Sequence, residues 1–264
     1  MSSSKQTALI TGASGGIGLD LAREFAKDGH NLVLVARSQQ KLEQFANELR
    51  QQYHIDVTII AKDLSKLGAP EEIYQEVTSQ AIQIDVLVNN AGVGLFGEFA
   101  DSELQSVLDM MQLNMVSLTH MTKLFLQPMV KRDNGKILNV ASTGGFQPGP
   151  LMAVYYATKA YVLSFTEAIA SELRGTGVSV SVFCPGPTKT GFDQAASAQQ
   201  SKLFTGMMVM ECGEVCRLGY REFKKGKTLI IPGFINKVLT KVHRIVPRKV
   251  MPEVVRYFSD RTNS

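Results

Sequence analysis

The chain has 264 residues, 44% of them hydrophobic and 20% charged, so it can bury a large core as one domain spanning 1–264 and is neither a disordered nor a collagen-like chain. A formal net charge of +4 is small for this length and lacks the concentrated basic footprint expected of a nucleic-acid binder. Three cysteines, Cys184, Cys212 and Cys216, cannot all pair within one chain, which points to reduced thiols and a cytoplasmic setting rather than a disulfide scaffold, with a redox or metal role as the minor alternative.

Met1 through Lys5 is a polar lead-in without the pattern of a secretory signal, and no run approaches the ~18 continuous apolar residues of a membrane span. The expectation is a chain that is soluble or at most surface-associated.

Seven short apolar runs follow in order as candidate strands: Ala8–Ile10, Leu32–Ala36, Val57–Ala61, Val86–Asn89, Ile137–Val140, Val178–Phe183 and Thr228–Ile231. Several are nearly continuous in apolar character, as expected when helices cover both faces of a parallel sheet. Candidate helices lie between them at Ile17–Lys27, Lys41–Gln51, Glu71–Gln83, Glu103–Lys131 and Tyr155–Leu173, with Gly29 and Gly175 placed to end two of them. The alternation predicts an α/β fold, doubly wound about a parallel sheet, rather than a barrel, which would need an eighth βα unit. Ala195–Gln200 is a locally biased stretch that suits a helix in an insertion, and Ser259–Ser264 reads as a frayed polar end.

Gly12, Gly16 and Gly18 occupy the turn after the first strand, where missing side chains let the backbone approach a pyrophosphate at a helix N-terminus. Three residues and then one separate them, unlike the GxGxxG fingerprint, so the turn alone leaves a purely structural role open. After the second strand stands Arg37, where an acidic residue would suit the ribose hydroxyls of NAD; an arginine suits the extra phosphate of NADP. Asp63 follows the third strand, either to accept a bond from the adenine amino group or to cap a helix beginning near Lys66. Asn89-Asn90-Ala91-Gly92 follows the fourth, with asparagines suited to bonding turn backbone and Gly92 admitting a ligand closely.

Tyr155 and Lys159 are four residues apart and so share a helix face. A phenol of ordinary pKa ~10 is a poor acid–base group, and a nearby ammonium is expected to favour its phenolate. Tyr156 lacks that spacing to Lys159. Ser142, after the fifth strand, can bond a carbonyl or alcohol oxygen, so that Tyr155 donates a proton as hydride from a nicotinamide reaches the carbonyl carbon. No metal is required by this chemistry. Asn114, within the long Glu103–Lys131 segment, reads either as the anchor of a water linked to Lys159 or as a structural or exposed helix asparagine.

The run Thr11-Gly12-Ala13-Ser14-Gly15-Gly16-Ile17-Gly18, with Asp63, Asn89-Asn90-Ala91-Gly92, Asn114, Ser142, Tyr155-Tyr156-Ala157-Thr158-Lys159 and Pro185-Gly186, resembles a classical short-chain dehydrogenase/reductase over roughly residues 5–232. The resemblance implies a seven-stranded Rossmann-like sheet, an Asn114-Ser142-Tyr155-Lys159 catalytic set and a homodimer or homotetramer. It implies NADP(H) contacts at Gly12, Ser14, Gly16, Ile17, Gly18, Arg37, Asp63, Asn90, Ala91, Gly92, Tyr155, Lys159, Pro185 and Gly186, and at Thr188 and Thr190 beyond them. It also implies a hydrophobic carbonyl or alcohol substrate, 3-oxoacyl groups and steroids included. The rival reading is a nucleotide-responsive interaction protein with little turnover.

A variable substrate lid is expected over about 188–212, where Phe192, Leu203, Phe204, Met207, Met208 and Met210 either line an apolar pocket with Gly94, Leu95 and Phe96 or fill a core. A C-terminal extension over about 233–264 places Phe234, Val238, Leu239 and Val242 near one helical face and Lys237, Lys241 and Arg244 on another. Docking of that apolar face onto the domain or a second subunit is expected, with a membrane-surface role as the alternative.

Overall fold

The computed structural model describes residues 5–196, 198, 201, 209–242 and 246–260. Its centre is a seven-stranded sheet built from β1 (Thr7–Thr11), β2 (Asn31–Ala36), β3 (Val57–Ala61), β4 (Val86–Asn89), β5 (Gly135–Val140), β6 (Val178–Phe183) and β9 (Leu229–Ile230). The order is β3-β2-β1-β4-β5-β6-β9, every neighbouring pair is parallel, and β7 (Thr188–Lys189) pairs with β8 (Met210–Glu211) outside the sheet. The chain leaves β3 at one edge and returns beside β1, which opens a crevice at the strand C-termini between β1 and β4.

Period-two alternation divides the strands between two cores. Ala8, Ile10, Leu32 and Leu34 face α1 (Gly16–Lys27) and α2 (Gln39–Tyr53). Leu9, Val33, Val35 and Leu87 face α3 (Ala69–Ser79) and α5 (Leu118–Lys131). Because both faces are covered, neither set can be polar, which is why the strands read as apolar runs.

Two helices not expected from the sequence complete the first core and the lid. In α8 (Cys212–Lys224), Tyr220 and Phe223 meet Phe25 of α1 edge-on, with ring centroids 4.7 and 6.0 Å apart. Cys212 and Cys216 are both buried; Cys216 Sγ donates to Ile17 O and lies 4.0 Å from Cys212 Sγ. In α10 (Met251–Ser259), Met251 and Val255 pack with Met152, Tyr156 and Ala198. Ser259 is fully buried and its carbonyl accepts from the Ser201 hydroxyl, so it does not belong to a frayed end; residues 261–264 lie outside the described residues.

The segment expected as one helix over Glu103–Lys131 is three pieces: α4 (Leu104–Met111), a π-helical turn at Gln112–Ser117 and α5. The helix expected near Lys66 begins at Ala69, and among the described residues of the insertion α7 (Phe192–Ala195) is a short helix that ends where the expected Ala195–Gln200 helix begins, with 197, 199 and 200 outside the described residues.

Candidate active site at the sheet C-terminal edge

A cavity of about 780 Å3 runs along the strand C-termini from the glycine turn to the lid. At its floor, Gly12 and Gly16 have φ of 66° and 52°, in the left-handed region that favours glycine. A Cβ on Gly18 would overlap Gly12 O, so glycine there lets α1 start against the turn; Gly18, expected as a cofactor contact, is packed into that junction and is not among the residues lining the cavity. Thr11 ties this turn to the next loop: its hydroxyl donates to Val88 O and accepts from Asn90 N and Ala91 N. Asn90 Nδ2 donates to Thr11 O and Gly12 O, as expected for a turn-bonding asparagine.

Asn89 behaves differently from that expectation. Its Nδ2 donates to Thr122 Oγ1 and Asn139 Oδ1, and Asn139 Nδ2 donates to Thr166 Oγ1. This buried polar chain joins α5, β4, β5 and α6 (Ala153–Glu172) directly beneath the site. Asn139 and Thr166 are supporting residues that motif reasoning missed. The signal is a buried-type strand carrying an asparagine at the register partner of Asn89.

Arg37 is exposed on the cavity wall, and none of the ion pairs among the described residues involves it. Asp63 also lines the cavity, and it caps no helix. Its Oδ1 accepts from Ser65 N and Ser65 Oγ; burial works against the carboxylate, but those bonds and the Arg37 and Lys66 charges hold its pKa below the ordinary aspartate value.

On the opposite side, Ser14, Ile17, Ala91, Gly92, Pro185 and Gly186 line the same space. Thr188 Oγ1 donates to Gly186 O, and Thr190 Oγ1 accepts from Phe192 N while its Cβ would stand 3.0 Å from a Cβ on Gly16. Both threonines line the cavity.

The four expected catalytic residues converge. Ser142 Oγ accepts from Gly144 N and donates to Pro185 O, and it lines the same cavity wall as Tyr155. Lys159 is buried one turn further along α6, its Nζ donating to Val140 O at 2.9 Å and lying 5.8 Å from the Tyr155 ring centroid. A Cβ on Gly92 would sit 3.2 Å from Asn114 Oδ1 and 3.3 Å from Lys159 Nζ, so only glycine leaves that wall open.

Two details correct the sequence reading. Burial, helped by Tyr156 and opposed by the Ser142 hydroxyl, raises the Tyr155 pKa well above its ordinary value, so the expected phenolate is disfavoured here. Burial likewise lowers Lys159 to about 8, with Cys184 acting weakly the other way. Asn114 sits in the π-helical turn with both amide hydrogens spent, one on Val93 O and one on Thr158 Oγ1, while its Oδ1 accepts from Val93 N. Its side chain braces the loop after β4 against α6, and only the second lone pair of Oδ1 is left for the expected water.

Above the reacting groups the wall is apolar, with Met152, Tyr156, Phe192, Met251 and Val255. Tyr156 packs against Gly149 and Gly144, away from Lys159. Gly94 and Leu95 line the cavity, whereas Phe96 joins the lid cluster and Met210 packs beneath α1 as a core residue. Leu203, Phe204, Met207 and Met208 lie outside the described residues. Asn236, missed from sequence, is buried against Gly186 and lines the cavity.

A family model described as short chain dehydrogenase matches residues 6–201. Among curated proteins, a very-long-chain 3-oxoacyl-CoA reductase of Anas platyrhynchos is 37% identical over 184 residues, covering 67% of this chain and 58% of that protein. A ketoacyl reductase, HetN, of Nostoc is 37% identical over 183 residues, covering 69% of this chain and 63% of its own length. The chain therefore spans less than two thirds of these relatives. A short-chain dehydrogenase from Sphingobium yanoikuyae, solved in complex with NADPH, superposes with a TM-score of 0.81 at 29% identity, covering 92% of this chain and 97% of that one.

Proposed function

Because the chain belongs to the short-chain dehydrogenase family, we propose that it is an NADP(H)-dependent oxidoreductase interconverting a carbonyl compound and a secondary alcohol. The observation that carries this reading is the convergence of Ser142, Tyr155 and Lys159 on one cavity wall, with Lys159 buried one turn beyond Tyr155 on the same helix and 5.8 Å from its ring centroid. The fit of a dinucleotide rests on the glycine cradle: Gly12, Gly15, Gly16 and Gly92 line the cavity with backbone, and Gly12 and Gly16 hold the left-handed φ that favours glycine. Arg37 is the group suited to the additional phosphate of NADP, and Thr188 and Thr190 line the same cavity, Thr190 against Gly16 of the cradle.

When bound, the nicotinamide supplies or takes up hydride. Ser142 orients the substrate oxygen. Tyr155, whose burial keeps it protonated at neutral pH, donates its hydroxyl proton to that oxygen during reduction and recovers it during oxidation. Lys159, held at Val140 O, supplies positive charge that offsets the phenolate left behind. Asn114 fixes the loop carrying Gly92 relative to Lys159.

A hydrophobic ketone or a 3-oxoacyl thioester is the substrate class we infer. The apolar wall of Met152, Phe192, Met251 and Val255 and the kinship to two oxoacyl reductases support it. Exposed Leu104, Leu108 and Val116, spaced along one helical face, support a homo-oligomer.

The test is NADPH and NADH oxidation against aromatic ketones, steroids and 3-oxoacyl thioesters. Tyr155→Phe is expected to keep NADPH binding and lose roughly 100-fold or more in turnover, and Arg37→Leu to erode the preference for NADPH over NADH. Unchanged turnover in Tyr155→Phe would reject this proton donor.

A further inference from the structure

The C-terminal helix α9 (Phe234–Val242) is built the wrong way round for a helix that only covers its own domain. Its buried residues are the polar Asn236 and Thr240, while Phe234 is 80% exposed and Ile235 58%, with Val238 and Leu239 exposed beside them. The outward side of α10 continues the patch with Val250, Val254 and Tyr257. Leu239, Val242 and Val254 also line the large cavity, so the patch lies at its rim.

Charge says what the patch faces. No acidic residue occurs between Glu222 and Glu253, whereas Lys237, Lys241, Arg244, Arg248 and Lys249 fall within that stretch. Arg244 lies outside the described residues; the other four take part in none of the ion pairs among the described residues. An isologous contact through this patch would set these cations against their own copies, which disfavours a second copy of the chain as the occupant. An apolar face flanked by unpaired cations matches an anionic lipid surface.

We propose that α9 and α10 seat this protein on an anionic membrane surface with the rim of the cavity against the lipid, so that an apolar substrate enters from the bilayer. The seating stands on the patch itself; the entry route rests on the proposed reductase activity. Phe234 and Ile235 dip into the headgroup region, and the four lysines and arginines sit at the phosphates.

The test is flotation of the purified full chain with vesicles of phosphatidylcholine alone and of phosphatidylcholine mixed with phosphatidylglycerol, at low and high salt. Binding to the mixed vesicles only, weakened by salt, is expected. Replacing Lys237, Lys241, Arg248 and Lys249 together by Gln should lower partition by more than about 100-fold, at roughly fivefold per cation. Phe234→Ser with Ile235→Ser should also release the protein, with circular dichroism unchanged in both variants.

Equal binding to both vesicle types, or none to either, overturns the proposal. A dimer seen by light scattering and dissolved by Phe234→Ser with Ile235→Ser, without vesicle binding, assigns the patch to a second copy instead. Vesicle binding is read without turnover, and a water-soluble ketone should be reduced equally by all these variants. Failure of the seating and failure of the proposed activity are therefore distinguishable.

Discussion

Helices α1 and α9 both carry an apolar face, but the fold uses them in opposite senses. In α1, Leu21, Ala22, Phe25 and Ala26 turn inward and pack on the sheet and on α8. In α9, the apolar residues turn outward because the inner positions are taken by groups the cavity uses: Asn236, packed on Gly186 and donating to Pro232 O, and Thr240. Amphipathic periodicity shows that a helix has two faces; it does not say which one the fold buries.

The largest effect that sharpens this contrast is Phe25→Ala. Phe25 is 1% exposed and meets His30, Tyr220 and Phe223, so its loss leaves a cavity between α1 and α8. A cost of about 3–5 kcal/mol is expected in urea unfolding, with NADPH binding weakened because α1 carries the glycine turn. A cost below about 1 kcal/mol would mean that α1 is held by the sheet alone.

Lys159→Met probes the boundary between the two regions, where stability and chemistry oppose each other. The Lys159 pKa falls from its ordinary 10.5 to about 8 on folding, through burial. The unfolded chain therefore binds more protons than the folded one between about pH 8 and 10.5, and wild-type stability rises with pH across that window. Below pH 8 the buried ammonium carries its full cost, only partly offset by the bond to Val140 O.

Lys159→Met should raise the thermal midpoint at pH 7, by about 1–3 kcal/mol in stability, and lose that advantage by pH 10.5, while turnover collapses. A gain that grows with pH would contradict the assignment of burial as the cause.

How much of this was legible beforehand follows the same division. The sheet strands could be located because two-sided burial leaves continuous apolar runs, and the site motifs because glycine turns and a Tyr-x3-Lys spacing are local. The π-helical turn at Asn114 was not, since an extra residue in a helical turn is stabilised by tertiary bonds to Val93 and Thr158 rather than by propensity. The raised Tyr155 pKa was misjudged because spacing reports which groups are near but not how much water they lose. Whether Met210 lines a pocket or fills a core stayed open in the sequence for a related reason: its neighbours in the cluster beneath α1 are far away in sequence.

The smallest expected effect completes the comparison with Phe25. Phe234→Ala removes the same side chain type from a position 80% exposed, where few neighbours lose contacts and no cavity forms. Chemical denaturation should show a change within about 0.5 kcal/mol, against several for Phe25→Ala. A phenylalanine that contributes so little to folding yet lies on the same exposed face as Val238 and Leu239 has its apolar surface free for something outside the domain. A loss comparable to that of Phe25 would instead mean that α9 folds its apolar face onto the protein in solution, and the outward orientation on which the lipid-facing assignment depends would be lost with it.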